Sequence, residues 1–238
     1  MKKIALIISM VALISLQGFS QQKKVSFGLK IGPTFDWASS TSTESRNLGT
    51  RLGFTFGGII EHNYTNHIAL STGLSYNYWR GYYQFTDSRI GPLFLEEAPV
   101  TVNRQIRASY FEVPLKLKVR IPIIDGWRVF AEAGVGFSIN TKDLTKDSYP
   151  KEGNELSTYW APQPDEYYTA AYFYQYRWFQ TALIAGLGAE FQINRKFSVF
   201  AQLSYNHALN NTFTRDIEEL TKGNLHTNFI GIEIGAML

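Results

Sequence analysis

Apolar and small or polar residues alternate one by one through eight separate stretches of this chain, each about ten residues long. Successive side chains of a β-strand point to opposite faces, so such alternation describes strands with one face in an apolar medium and the other shielded from it. In the first stretch Val25, Phe27, Leu29, Ile31, Phe35 and Trp37 share one face, and Ser26, Gly28, Lys30, Gly32, Thr34 and Asp36 share the other. The pattern recurs near residues 52–61, 68–78, 111–120, 129–139, 182–191, 197–206 and 230–238. Past the first twenty residues no apolar run approaches the length of a membrane-crossing helix. A chain of this kind that spans a bilayer must do so as a closed barrel, because hydrocarbon satisfies no unpaired backbone N–H or C=O group.

A soluble sandwich alternates too, and the connections separate the two. Asn63-Tyr64-Thr65-Asn66, residues 122–126 and Asn194-Arg195-Lys196 are short, whereas residues 39–50, 86–104, 141–177 and 210–223 are long. Short turns at one end and long loops at the other are the habit of outer-membrane barrels. The expected fold is therefore all-β, an eight-stranded antiparallel up-and-down transmembrane barrel over residues 21–238. Tyr64, Trp127 and Phe197 are expected in an aromatic girdle at the short-turn edge. Tyr76, Tyr78, Trp79, Tyr82 and Tyr83 are expected in its counterpart at the long-loop edge.

The chain opens with Met1-Lys2-Lys3, an apolar run from Ile4 to Leu16, and small residues at Gly18 and Ser20. A basic start, a short apolar core and small residues before a cut make a signal peptide, with cleavage expected after residue 20 and export to the outer membrane. The alternative, an N-terminal anchor helix, needs a longer run. The absence of cysteine removes disulfides, thiolate metal sites and a cysteine nucleophile. The formal charge of +3 falls to +1 once Lys2 and Lys3 are set aside, so nothing points to nucleic acid.

Tyr110-Phe111-Glu112-Val113-Pro114-Leu115-Lys116-Leu117-Lys118 resembles the Tyr-(Leu/Phe)-Glu-(Ile/Val)-Pro-Leu…Lys element of PorT-like outer-membrane barrels of the Bacteroidetes. Residues 28–33, 131–136, 185–191 and 201–205 are similar to other strands of that family. The resemblance implies an eight-stranded barrel with no assigned activity. The family's namesake is an accessory of a protein secretion system.

The face opposite the apolar stripe reads as small and charged, a lumen too narrow for a wide pore. Strand direction brings Lys30, Glu61, Lys116, Lys118, Glu132, Glu190 and Glu233 to similar depth in its short-turn, periplasmic half. Buried charges persist by pairing, which predicts a structural ion-pair plug; a gate or narrow ion path is the sharper alternative. Glutamates sharing a site with lysines stay ionised rather than poised for acid–base work. Ser204 and His207 differ in parity, and the four histidines lie near turns and strand ends. No catalytic set emerges. Gly186-Leu187-Gly188 lies within a strand, and residues 143–155 lack the order of a calcium loop, so no metal or other cofactor is expected.

The long third loop is crowded with Tyr159, Trp160, Tyr167, Tyr168, Tyr172 and Tyr174. Rings with polar tips suit a glycan or another envelope protein, and outer-membrane lipid would surround the strands. The function expected is non-enzymatic, a structural or binding component of the outer membrane, to which the family resemblance adds an accessory role in protein secretion. A narrow passive pore is the alternative, and an outer-membrane enzyme ranks last.

Overall fold

The computed structural model describes residues 24–40, 45–87, 100–151, 154–161, 177–194, 196–212 and 225–238. Its strands are β1 (Val25–Ser40), β2 (Ser45–Asn47), β3 (Arg51–Asn63), β4 (Ile68–Asp87), β5 (Val100–Ile124), β6 (Trp127–Lys151), β7 (Asn154–Ala161), β8 (Phe179–Gln192), β9 (Ser198–Ala208) and β10 (Leu225–Met237). Eight of them close a barrel in the order β1-β3-β4-β5-β6-β8-β9-β10, each antiparallel to its neighbours, with β10 returning to β1. The short β2 adds to β4 and β7 adds to β6 above the wall. Residues 1–23, which hold the expected signal peptide, lie outside the described residues.

The alternation explains closure. Apolar side chains on the outer face remain open to the surroundings, Leu29 at 71% and Leu187 at 67% exposure among them, while their strand neighbours turn into the lumen. In water so much apolar surface would be costly; around a barrel it meets lipid.

The short connections are fixed by local side chains. Thr65 Oγ1 accepts the N–H groups of His67 (3.1 Å) and Ile68 (3.0 Å). Asn194 Oδ1 accepts those of Lys196 (2.8 Å) and Phe197 (2.9 Å). Such Asx and hydroxyl turns reverse the chain in few residues. The middle connection is tighter than the 122–126 expected: β5 runs on to Ile124, and Asp125-Gly126 alone make the turn, with Gly126 at φ +80°.

The long connections differ more. Much of 86–104 and 141–177 is strand, since β4 continues to Asp87, β5 begins at Val100, and β6 reaches Lys151 before β7. Tyr159 and Trp160 therefore have their backbone in β7, opposite Asp147 and Lys146. Tyr167, Tyr168, Tyr172 and Tyr174 lie outside the described residues.

Above the bilayer the alternation reverses phase. On β5 the outward residues change from Phe111, Val113 and Leu115 to Asn103, Gln105 and Arg107. The inward ones change from Glu112 and Lys116 to Ile106, Ala108 and Tyr110. Ala38, Trp79, Tyr83, Phe85, Ile106, Ala108, Tyr110 and Leu225 pack there into one buried apolar cluster. This corrects two expectations. The inward face does carry a hydrophobic layer, and Trp79 and Tyr83, each 2% exposed, belong to it rather than to an outer girdle. Their odd numbers on β4 require it, as Ser75 and Asn77 below them also point inward.

At Gly32 the strands β1 and β10 approach closely. A Cβ there would stand 2.0 Å from the Ile232 carbonyl oxygen and 2.8 Å from Glu233 Cα. Gly32→Val is expected to push the two strands apart at a cost of about 1–3 kcal/mol. Urea titration of the reconstituted protein checks this; an unchanged midpoint would mean that the approach is not tight.

Candidate functional site: the charged lumen

Along β5, inward positions climb from Arg120 near the turn through Lys118, Lys116 and Glu112 to Tyr110, and each layer meets side chains from other walls. In the lowest layer Arg120 spans the lumen. Its Nη2 donates to Glu61 of β3 and its Nε to Glu190 of β8 (3.2 Å), while Nη1 donates to Asn63 Oδ1 (3.0 Å). Glu190 also accepts from Arg128 Nη2 (2.7 Å) and from Ser198 Oγ (2.7 Å). One turn of the ladder higher, Lys118 Nζ donates to Glu61 Oε1 at 2.7 Å. The same ammonium sits 4.0 Å from the centroid of the Phe130 ring, which packs edge-on against Phe200. A cation held over a ring in a site without water gains about 2 kcal/mol.

The next layer pairs Lys116 with Glu132 at 2.5 Å. Across it Lys30 of β1 meets Glu233 of β10 at 3.1 Å, bridging the seam, and Glu233 accepts from Gln202 Nε2 and Ser204 Oγ, both 2.7 Å. Glu112 closes the stack, accepting from Asn206 Nδ2 (2.8 Å) and Ser138 Oγ (3.3 Å).

The seven residues singled out by sequence thus meet in one ladder: Lys118 with Glu61, Lys116 with Glu132, Lys30 with Glu233, and Glu190 at its foot. Arg120, Arg128 and Glu112 were missed as members. Parity had placed Arg120 and Glu112 on the inner face, and Arg128 has the even number that Glu132 shares, two residues after the turn. Phe130 and Phe200 were missed for the same reason. With them the ladder holds five cations (Lys30, Lys116, Lys118, Arg120, Arg128) and five carboxylates (Glu61, Glu112, Glu132, Glu190, Glu233), so its formal charge is zero. Except for Arg128 these ionic groups are at most a tenth exposed. Burial in this number is tolerable only because every carboxylate has a hydrogen-bond donor to hand.

Two spaces adjoin the ladder. A recess of about 230 Å³ opens at the short-turn mouth beneath Glu61, Arg120 and Glu190. Between Lys30, Glu112 and Glu132 the gap is about 10 Å³, on the scale of one water molecule.

The histidines are engaged elsewhere. His67 Nδ1 lies 3.1 Å from the Arg120 carbonyl and His226 Nδ1 2.9 Å from that of Ala208. His207 Nδ1 is 2.5 Å from Asn228 Oδ1, and His62 meets the edge of the Tyr64 ring. Among the described residues no three His, Asp or Glu side chains are grouped to hold a metal ion.

A model of a family described as the outer membrane protein beta-barrel domain matches residues 19–214. The chain belongs to that family. It is an outer-membrane β-barrel, and its apolar belt and closed wall are the features that membership requires. No curated protein matches the chain. Among solved structures, Neisserial surface protein A is similar at 11% identity and TM-score 0.41, over 89% of this chain and 96% of that one. The outer membrane protein OprG from Pseudomonas aeruginosa is similar at 8% identity and TM-score 0.40, over 90% and 95%. The outer membrane protease OmpT from Escherichia coli is similar at 8% identity and TM-score 0.37, over 93% and 98%.

Proposed function

We propose that this barrel is a closed, non-enzymatic anchor whose task is to hold its loops and turns at the two surfaces of the outer membrane for a partner. The observation that carries this reading is the filled lumen. Five cations and five carboxylates interlock in its lower half and an aromatic layer caps them, leaving a gap on the scale of one water molecule. An ion crossing would have to break several charge-assisted bonds at once. The engagement of the histidines by backbone carbonyls and neighbouring side chains supports the non-enzymatic part.

Residues 1–20 would act as the exported chain's signal peptide, removed on the way. The Tyr110–Lys118 element supports membership among the PorT-like barrels of the Bacteroidetes, and with it an accessory role in protein secretion. The aromatic segment holding Tyr159, Trp160, Tyr167, Tyr168, Tyr172 and Tyr174 would meet the partner, an envelope protein or a glycan.

Two measurements test the reading. In planar bilayers the purified protein is expected to give no conductance above the bare membrane; discrete steps abolished by Glu132→Ala would establish a pore instead. Cross-linking and affinity purification from the native membrane is expected to recover a stoichiometric envelope protein, lost when residues 150–170 are deleted. Recovery of the barrel by itself would remove the assembly role.

A further inference from the structure

On its lipid-facing side the barrel carries a one-sided basic rim. The outward residues of β4 read Ile68, Leu70, Thr72, Leu74, Tyr76 and Tyr78, then Arg80, Tyr82 and Gln84. Ten residues at about 3.3 Å each, tilted by about 40°, rise about 25 Å, the height of the apolar band of such barrels. Arg80 is thus the first outward side chain at headgroup level on the long-loop side. The guanidinium of Arg51, from the start of β3, stacks 4.6 Å from the centroid of the Tyr82 ring. Arg107 faces Arg80 directly across the β4–β5 ladder. Lys142, exposed, lies opposite Ser109 on the next strand, and Arg46, also exposed, lies opposite Gln84.

The strand carboxylates with described side chains all face the other way. Glu61, Glu112, Glu132, Glu190 and Glu233 lie in the lumen, Asp143 is opposite inward Ala108, and Asp36 takes the Arg80 backbone N–H from inside. The only other described one, Asp125, is in a turn at the far end. The rim on the opposite wall has a different character. There Trp37, Tyr205, His207 and His226 form a continuous ring stack across β1, β9 and β10. Among the described residues the basic side chains of this rim gather on the β2–β6 side, with Arg177 just before β8 standing apart from them, which a uniform interfacial girdle would not show.

We infer that Arg51 and Arg80, flanked by Arg46 at the level of Gln84 and by Lys142 at the level of Tyr78, form a binding rim for the phosphate groups of outer-leaflet lipid, with Tyr82 and Tyr78 packing against its sugar and upper chain. The occupant is fixed by position and charge. The site lies at the level where the leaflet's headgroups begin, it faces lipid rather than the lumen, and guanidinium groups bind phosphate oxygens in pairs. Planar rings beside them suit a sugar headgroup. This site does not depend on whether the lumen is closed or what the loops bind.

The test uses the full mature chain in phosphatidylcholine nanodiscs doped with lipid A or with lipid A stripped of its phosphates. Native mass spectrometry reads the lipid retained on release. The intact chain is expected to retain phosphorylated lipid A and not the dephosphorylated form. Arg51→Gln/Arg80→Gln should weaken retention roughly thirtyfold, as expected for two basic groups at a membrane surface. Lys24→Gln/Lys196→Gln, at the opposite end, should leave it unchanged. A heat-modifiable folded band confirms that each variant is a barrel, and Arg46→Gln/Lys142→Gln serves if the first pair fails to fold. Equal retention of both lipids, equal retention by rim and turn variants, or release by inorganic phosphate at millimolar level would each overturn the proposal.

Discussion

Glu61→Ala is expected to lower the stability of the folded barrel by about 3–5 kcal/mol, the cost of removing one partner from a buried ion pair. Glu61 holds two cations at once, Lys118 Nζ at 2.7 Å and the Arg120 guanidinium. Both cations are almost fully buried, so the truncation leaves positive charges in a space that water reaches poorly. Urea unfolding in lipid vesicles, followed by tryptophan fluorescence and by the shift of the heat-modifiable band, measures the loss. A loss below about 1 kcal/mol would mean that Glu190 alone neutralises the foot of the ladder. The control removes both ends of a pair. Lys116→Met/Glu132→Leu takes away one cation and one carboxylate of similar bulk, and should be neutral or stabilising, because desolvation then disappears along with the attraction. A ladder that matters through balance predicts this contrast between single and double variants; one that matters pair by pair does not.

Trp79→Ala should be equally severe, about 3–5 kcal/mol, for a different reason. Trp79 is buried in the aromatic layer, its ring lies over Gly81, and its Nε1 donates to the Asn228 carbonyl at 3.0 Å. Truncation leaves a void and removes the indole's hydrogen bond to the Asn228 carbonyl of β10, a residue whose side-chain amide also donates to Ser39 of β1. The same unfolding experiment measures the loss. Hydrogen exchange should also quicken at β4 and β10 above the bilayer more than at β6 and β8. Uniform exchange across the barrel would argue that the layer is not a structural unit.

How much of this was legible in sequence depended on whether period two was followed to its end. Within the bilayer it gave strand faces correctly, because lipid outside and packed charges inside enforce opposite chemistries on neighbouring residues. It also gave Lys30, Glu61, Lys116, Lys118, Glu132, Glu190 and Glu233 a common depth from strand direction alone, and the structure pairs six of them as Lys30 with Glu233, Glu61 with Lys118, and Lys116 with Glu132. Trp79 and Tyr83 were misread because residue type was allowed to outweigh parity; counting from Ser75 places both inside. The extensions of β4, β5 and β6 were hidden by the phase reversal. Once a strand leaves lipid its outer face meets water, so Arg107 and Gln105 replace Phe111 and Val113 and the segment no longer looks like a barrel strand. Arg128 lay too near a turn for a period to be counted through it. The pairing of Arg120 with both Glu61 and Glu190 is a matter of reach across the lumen, which no one-dimensional pattern carries.

The seam between β1 and β10 bears on how the molecule comes to exist. Every other neighbouring pair in the wall is reached by a hairpin or a single loop, whereas Gly28 pairs with Met237, roughly 200 residues away along the chain. Closing a loop of that length costs about 5 kcal/mol in chain entropy by length scaling alone, against about 1 kcal/mol for a four-residue turn. Folding is thus a succession of quick local zippings followed by one slow meeting of strangers, with Lys30 and Glu233 drawn together at the join. Until that meeting β1 and the growing sheet each present a bare edge, open to any other strand nearby. A chain stopped short of β10 would not be a narrower barrel but an open sheet with two adhesive margins.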